Sequence, residues 1–225
     1  MTLKPDQGDF SHLDFLETVT TLPAPISFWS NKFFVFKFCV DKISAIVALP
    51  FVLAIAILLF VVNPFFNPGP VFFTQDRMGM GGKRLRMWKF RSMTATQDNA
   101  RAHDAPLEEH RITPFGHFLR KYRIDELPNF FNVLVGQMSL VGPRPDVWDH
   151  SAAFVLSIDR YSDRFRVRPG ITGLAQVYMG YADTAGAVRH KAYLDKIYVS
   201  KSRIKLDLWI MWRTVHVVLT GFGAR

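Results

Sequence analysis

Between Ile43 and Val62 the chain carries no charged residue, yet Pro50 stands inside the run and basic residues flank it on both sides. A helix rises about 1.5 Å per residue, so the run is just long enough to cross a hydrocarbon core roughly 30 Å thick. Pro50 argues for a break, because its ring removes a backbone donor and clashes with the carbonyl one turn back. Lys32, Lys37 and Lys42 precede the run, and Arg77, Lys83, Arg84, Arg86, Lys89 and Arg91 follow it with no second apolar crossing between. Basic flanks favour the cytoplasmic side, and here both flanks do. A helix that breaks at Pro50, dips into one leaflet and returns satisfies that pattern, whereas a straight span puts one flank outside. Re-entry is the expectation; a Pro-kinked transmembrane anchor is the alternative, and a soluble core helix is disfavoured by length and apolarity.

A net charge of +9 asks for a polyanionic partner, which charge alone leaves open among anionic lipid, a phosphorylated substrate and nucleic acid. The single cysteine, Cys39, excludes an internal disulfide and a cysteine-rich zinc site; it agrees with a cytoplasmic soluble part and suggests packing in the membrane-proximal helix. The first thirty residues are polar, contain acids and lack the apolar core of a signal peptide.

The sequence divides into a polar N-terminal extension over 1–32, a membrane-inserted helix over 33–63 and a membrane-associated catalytic domain over 64–225. The Pro- and Gly-rich stretch from Asn63 to Pro70 marks the exit from the membrane. Val71–Phe73 and Leu85–Phe90 read as strands of a short hairpin, with a turn over Met78–Lys83. Apolar residues recur at helical spacing from Pro114 to Val135, where Pro128 fits the first turn of a second helix. Ile204–Leu219 reads as a helix whose tryptophans suit either lipid headgroups or core packing. The expected fold is a mixed α/β, mostly helical one: a Pro-broken re-entrant helix plus a small cytoplasmic domain with amphipathic interfacial helices.

Four segments carry chemistry. From Gln75 to Ser92, six cations meet several glycines, a composition suited to phosphate; the glycine spacing matches neither a P-loop nor a dinucleotide fingerprint, and composition alone favours a solvated basic hairpin resting on anionic lipid. Asp125 and Glu126 adjoin Arg120, Lys121 and Arg123, cations that lower carboxylate pKa values and suit a nucleophile or metal ligand, although an acidic pair at a helix start has the same appearance. If helical, the two side chains diverge by about a hundred degrees, which favours two roles over one shared proton. Arg144 lies between Pro143 and Pro145, and Arg168 precedes Pro169; prolines hold such arginines in extended backbone, as a phosphate clamp or as structural turns.

Taken in order, Gly69-Pro70-x-x-Phe73-x-Gln75-x-Arg77-x-Gly79, Lys89-Phe90-Arg91-Ser92-Met93, Asp125-Glu126-Leu127-Pro128-x-x-x-Asn132-Val133-Leu134, Met138 to Pro145, and Pro169-Gly170-Ile171-Thr172-Gly173-x-Ala175-Gln176-Val177 resemble the bacterial sugar transferases. These are the monotopic polyprenyl-phosphate phosphoglycosyl transferases, and the resemblance, to their short form, runs from about Lys37 to Ala224. It implies a re-entrant anchor broken at Pro50 and a ping-pong reaction on the cytoplasmic face of the bacterial inner membrane. Asp125 would attack the β-phosphate of a UDP-sugar, release UMP and pass the sugar phosphate to polyprenyl phosphate. Magnesium is the implied cofactor, held near Asp125 and Glu126, with Glu126 assisting acceptor or metal. Lys89, Arg91, Arg120, Arg144, Arg164 and Arg168 are the implied phosphate-binding candidates.

The chain departs from the family's pattern at Leu49, where Ser usually precedes the helix-breaking proline, at Gln137, at Arg123 and over Tyr178–Tyr181. The expected partners are a UDP-sugar, polyprenyl phosphate and membrane lipid, with no nucleic acid; homo-oligomerisation stays open. A membrane-tethered polyanion-binding protein and an inactive scaffold remain alternative functions, separable by salt-dependent oligonucleotide binding and by UMP release.

Overall fold

The computed structural model describes residues 22–26, 32–94, 109–180 and 184–221, excluding the side chain of Ala185. Most of the polar N-terminal extension therefore lies outside the described residues. Within it, Leu22–Ile26 runs along the domain, and Ile26 N donates to the Arg166 carbonyl at 2.9 Å.

Helix α1, Lys32–Phe66, is the only described helix long and apolar enough to cross a membrane, with a mean hydropathy of 3.2 over an 18-residue stretch of it. Its buried positions are Phe34, Lys37, Asp41, Ala45, Val52, Ala56, Leu59 and Asn63. Steps of three, four and seven residues put them in one stripe. The stripe feeds three cores in turn: Phe34 joins Val141, Leu174 and Ile210, Ala45 joins Leu85, Met87, Val133 and Met138, and Val52, Ala56 and Leu59 join Phe90 and Leu119. The remaining face exposes Ile46, Val47, Phe51, Leu53, Ile57, Leu58, Phe60 and Val61. Pro50 lies on the exposed side, and α1 continues as one helix through it, so the break expected at Pro50 is not found. Cys39 is exposed rather than packed, because it falls between the buried positions Lys37 and Asp41.

Polar contacts fasten both ends of α1 to the same body. Near its start, Lys37 Nζ lies 2.5 Å from Asp207 Oδ2, Asp41 accepts hydrogen bonds from Ser139 Oγ and Leu140 N, and Lys42 donates to the Leu134 carbonyl. Just beyond its end, Asn67 Nδ2 donates to the Arg91 carbonyl at 2.7 Å while Arg91 Nη2 donates to the Asn67 carbonyl at 2.6 Å.

The expected hairpin is present as antiparallel β1, Phe72–Met78, and β2, Arg84–Phe90, paired from Phe72↔Phe90 to Met78↔Arg84. It is longer than the apolar pattern indicated. Polar residues 75–77 continue the ladder, and Asp76 meets Arg84 and Arg86 across the strands. β2 alternates, burying Leu85 and Met87 and exposing Arg84, Arg86 and Trp88.

Helix α2, Pro114–Lys121, starts with Pro114 in its first turn, and Thr113 Oγ1 caps it by accepting from Gly116 N at 2.9 Å. A 3-10 turn over Ile124–Glu126 leads to α3, Asn129–Leu134, which Pro128 immediately precedes. α3 packs against α1 and β2.

The two proline-flanked arginine segments lie side by side, an arrangement their sequence did not indicate. Strands β3, Ser139–Val141, and β4, Gly170–Thr172, form a parallel ladder. It continues as Gly142 N donates to Thr172 O at 2.9 Å and Gly170 N to Pro143 O at 3.0 Å. A Cβ on Gly142 would stand 2.5 Å from the Arg168 carbonyl oxygen, so only glycine permits this approach.

Helices α4, Trp148–Ser157, α5, Leu174–Met179, α6, Ala185–Lys201, and α7, Ile204–Thr220, complete the body. α7 packs into the core through Asp207, Ile210 and Val217 and exposes Leu208, Trp212, Val215 and Leu219.

Candidate active site

The chain leaves α2 through Arg123, which takes a left-handed backbone with φ 56°, and this reversal sets Asp125 and Glu126 on the following turn. Asn132 on α3 then fixes that turn against the hairpin: its Oδ1 accepts from Trp88 N at 3.2 Å, and its Nδ2 donates to the Arg86 carbonyl at 2.8 Å. Lys89 on β2 is thereby brought beside the acids.

Both carboxylates are 7% exposed, yet their surroundings differ. Arg144 grips Glu126 with both arms of its guanidinium, Nη1 to Oε2 at 2.8 Å and Nη2 to Oε1 at 2.5 Å. Arg123 Nη1 lies 3.5 Å and Lys89 Nζ 4.0 Å from Glu126 Oε1. Burial opposes the charge on Glu126, but Arg144 and Lys89 overcome it and hold this carboxyl well below the usual carboxylate range. Asp125 behaves oppositely. Burial, then the Glu126 charge, push it up to about 6 against the pull of Lys89, Arg120 and Arg144. Its buried Oδ1 accepts no hydrogen bond among the described residues.

The sequence expectation that neighbouring cations depress both acids is thus corrected for Asp125. Adjacent side chains diverge, and three cations converge on Glu126. Lys89 is itself pushed down to about 8 by burial, with Glu126 raising it and Arg144 and Arg77 lowering it further.

The Pro143-Arg144-Pro145 segment is held from behind by charges that sequence reasoning did not bring together. Arg77 Nη1 donates to the Pro145 carbonyl at 3.1 Å, and Arg164 Nη2 donates to the Arg144 carbonyl. Arg164 also pairs with Asp146, and with Asp195 at 3.1 Å; Asp146 in turn accepts from Tyr161 Oη at 2.6 Å and pairs with Lys191. Asp146, directly after Pro145, and the i,i+4 pair Lys191 and Asp195 on α6 were the only sequence signals of this network.

Arg164 therefore serves to position Arg144, its guanidinium being committed to buried carboxylates, and Arg91 binds Asn67 at the exit of α1 instead of facing the acids. Arg168 lies over the Phe38 ring, 5.0 Å from its centroid, in the field of Asp41. Arg120 is half-buried at the end of α2, where its charge acts on Asp125. Pro50 lies within α1, on its exposed side.

No group of three or more His, Cys, Asp or Glu side chains among the described residues forms a metal cage. Magnesium that arrives on a diphosphate needs only one or two protein carboxylates. The unpaired Oδ1 of Asp125 fits that need; Glu126, with both oxygens on Arg144, does not.

Among the described residues, then, a buried acid pair has one member gripped by a fork of arginine and the other with an oxygen that accepts no hydrogen bond, on a protein bearing a long apolar helix. The chain belongs to the bacterial sugar transferase family, whose profile matches residues 32–221. It is 40% identical over 214 residues to a UDP-N-acetylgalactosamine-undecaprenyl-phosphate N-acetylgalactosaminephosphotransferase of Aeromonas hydrophila, covering 95% of this chain and 49% of the relative. It is 44% identical over 151 residues to a UDP-glucose:undecaprenyl-phosphate glucose-1-phosphate transferase of Klebsiella pneumoniae, covering 66% and 32%. An exopolysaccharide production protein of Rhizobium leguminosarum bv. phaseoli is 37% identical over 187 residues, covering 80% of this chain and 92% of the relative. The chain thus spans half or less of the first two relatives and nearly all of the third.

Proposed function

We propose that this protein transfers a sugar 1-phosphate from a UDP-sugar to polyprenyl phosphate, releasing UMP, as the first membrane step of exopolysaccharide or glycoconjugate synthesis. The unpaired Asp125 carboxylate beside an Arg144-neutralised Glu126 is the observation that carries this reading. An Asp125 oxygen attacks the β-phosphorus, the bond from that phosphorus to the bridging oxygen breaks, and UMP leaves with the electron pair. The sugar phosphate then sits on Asp125 as an acyl phosphate. An oxygen of polyprenyl phosphate attacks the same phosphorus, and the Asp125 carboxylate departs. Arg144, Lys89 and Arg120 balance the phosphate charge, while Glu126 keeps the Arg144 fork aligned. Magnesium held at Asp125 Oδ1 would offset diphosphate charge. UMP release across a panel of UDP-sugars, with and without polyprenyl phosphate, tests the reading; absence of UMP with every donor refutes it.

The acceptor-free burst of UMP should depend on pH through Asp125. Its second-order rate constant at low UDP-sugar reports the free enzyme, so it should rise with pH about a midpoint near 6, the value to which burial and Glu126 push this acid, whereas an ordinary aspartate would already be on its plateau. Above about 8 the rate should fall as Lys89 loses its proton. A flat profile between pH 5 and 7 contradicts the assignment.

The reading places α1 as a re-entrant anchor with the catalytic body on the cytoplasmic face of the bacterial inner membrane. Support comes from the charged fastenings: Lys37, Asp41 and Lys42 at one end of α1 and Asn67 beyond the other bind the same body. A perpendicular span would carry one set through the hydrocarbon. Cysteine tags near Lys32 and near Asn67, leaving Asn67 itself in place, in a Cys39→Ser background should both resist an impermeant thiol reagent in intact cells and both react after lysis. Labelling of the Lys32 tag alone in intact cells would establish a span.

A further inference from the structure

A line of aromatic rings leads from the end of α1 to Tyr122, three residues before Asp125. The Phe66 ring centroid lies 6.0 Å from that of Phe115, Phe115 lies 6.2 Å from Phe118, and Phe118 lies 5.1 Å from Tyr122. Phe115, Phe118 and Tyr122 recur at intervals of three and four residues along α2, so they share one helical face. Phe115 packs into the core that holds Val52, Ala56 and Leu59 of α1, joining the line to the membrane helix. The other three rings are open to solvent: Phe66 by 61%, Phe118 by 50% and Tyr122 by 39%.

Resting on the transferase reading above, we propose that this aromatic track is the subsite for the first isoprene units of the polyprenyl phosphate acceptor, delivering its phosphate beside Asp125. The occupant must be apolar along its length and anionic at one end, because the track is flanked by exposed apolar side chains of α1 at Phe66 and by cations at its other end. Lys121 Nζ stands 5.5 Å from the Tyr122 centroid, and Arg120 acts electrostatically on Asp125. At its Phe66 end the track adjoins α1, where Val61 and Phe65 are also exposed. Rigid rings present such a surface with little side-chain entropy to lose, and the face they form is continuous with the source of the lipid.

The test uses full-length protein in vesicles of phosphatidylethanolamine and phosphatidylglycerol, with Phe118→Ala, Tyr122→Ala and the bulk-preserving Phe118→Leu. The expected result is a tenfold or larger rise in KM for polyprenyl phosphate in each alanine variant and a smaller rise for Phe118→Leu. That change should be several times larger than any change in KM for UDP-sugar or in the acceptor-free UMP burst. An unchanged acceptor KM overturns the proposal. So does a rise confined to KM for UDP-sugar, which would make the track a nucleoside platform, or loss of vesicle flotation with an unaltered acceptor KM in the bound fraction, which would make it an anchor. Should an alanine variant fail to fold, Phe118→Leu with an acceptor KM equal to the parent's is equally decisive against it. A parent protein with no UMP burst on any UDP-sugar would instead remove the transferase reading itself.

Discussion

Asp125→Asn is expected to lower UMP release by about 10⁴-fold or more, because an amide has no oxygen anion to attack phosphorus. The same substitution should leave the fold intact and raise or preserve the melting temperature. Asp125 is a buried carboxyl pushed up to about 6 by burial and the neighbouring Glu126 charge, so at neutral pH its ionised form is held against both. The isosteric amide relieves that repulsion. Glu126→Gln should behave differently: it strands the buried guanidinium of Arg144, a loss of about 3–5 kcal/mol where one partner of a buried pair is removed. Activity and stability therefore separate the two acids. A UDP-sugar labelled in the β-phosphate should leave its label on a peptide containing Asp125 in the parent and on none in the Asp125 variant. Near-parental turnover by a deamidation-free Asp125→Asn preparation would sink the nucleophile assignment.

The sequence exposed those features whose signals are local. A long apolar helix, a hairpin around glycines and a helix beginning at Pro114 are each dictated by a few contiguous residues, and each is present, although the break expected at Pro50 is not. Partnerships over long separations left no such mark. Arg91, Arg164 and Arg168 look alike as cations near glycines or prolines, yet Arg91 closes the exit of α1, Arg164 buttresses the carbonyl of Arg144, and Arg168 rests on Phe38. Their partners stand at separations that no spacing rule reaches. The parallel β3–β4 ladder was hidden for the same reason: three-residue strands give no periodicity, and only the crossing at Gly142 and Gly170 brings the two motifs together. Proximity in sequence misled at the acid pair, where consecutive residues face opposite environments. The buried stripe of α1, by contrast, was latent in the spacing of Phe34, Lys37, Asp41 and Ala45, where charged residues occupy the same face as apolar ones because they meet Asp207 and Ser139 there.

Arg144→Lys should reduce the rate of UMP release by about 10²–10³-fold although it preserves charge. The guanidinium forms two parallel bonds to Glu126, and its backbone is fixed by prolines on both sides and by Arg77 and Arg164 behind. A lysine ammonium can satisfy one Glu126 oxygen at a time and projects no second arm toward substrate phosphate. Because the positive charge persists, the pH midpoint set by Asp125 should stay near 6 in the lysine variant. Arg144→Gln removes the charge as well. Arg144 is one of the three cations that pull the Asp125 pKa down, so its loss should move the midpoint to higher pH in addition to lowering the plateau. The pair of variants thus separates geometry from charge: a lower plateau with an unmoved midpoint for lysine, and both changes for glutamine. A lysine variant that matches the parent would show that Arg144 acts by charge alone, and a glutamine variant with an unmoved midpoint would show that its field does not reach Asp125.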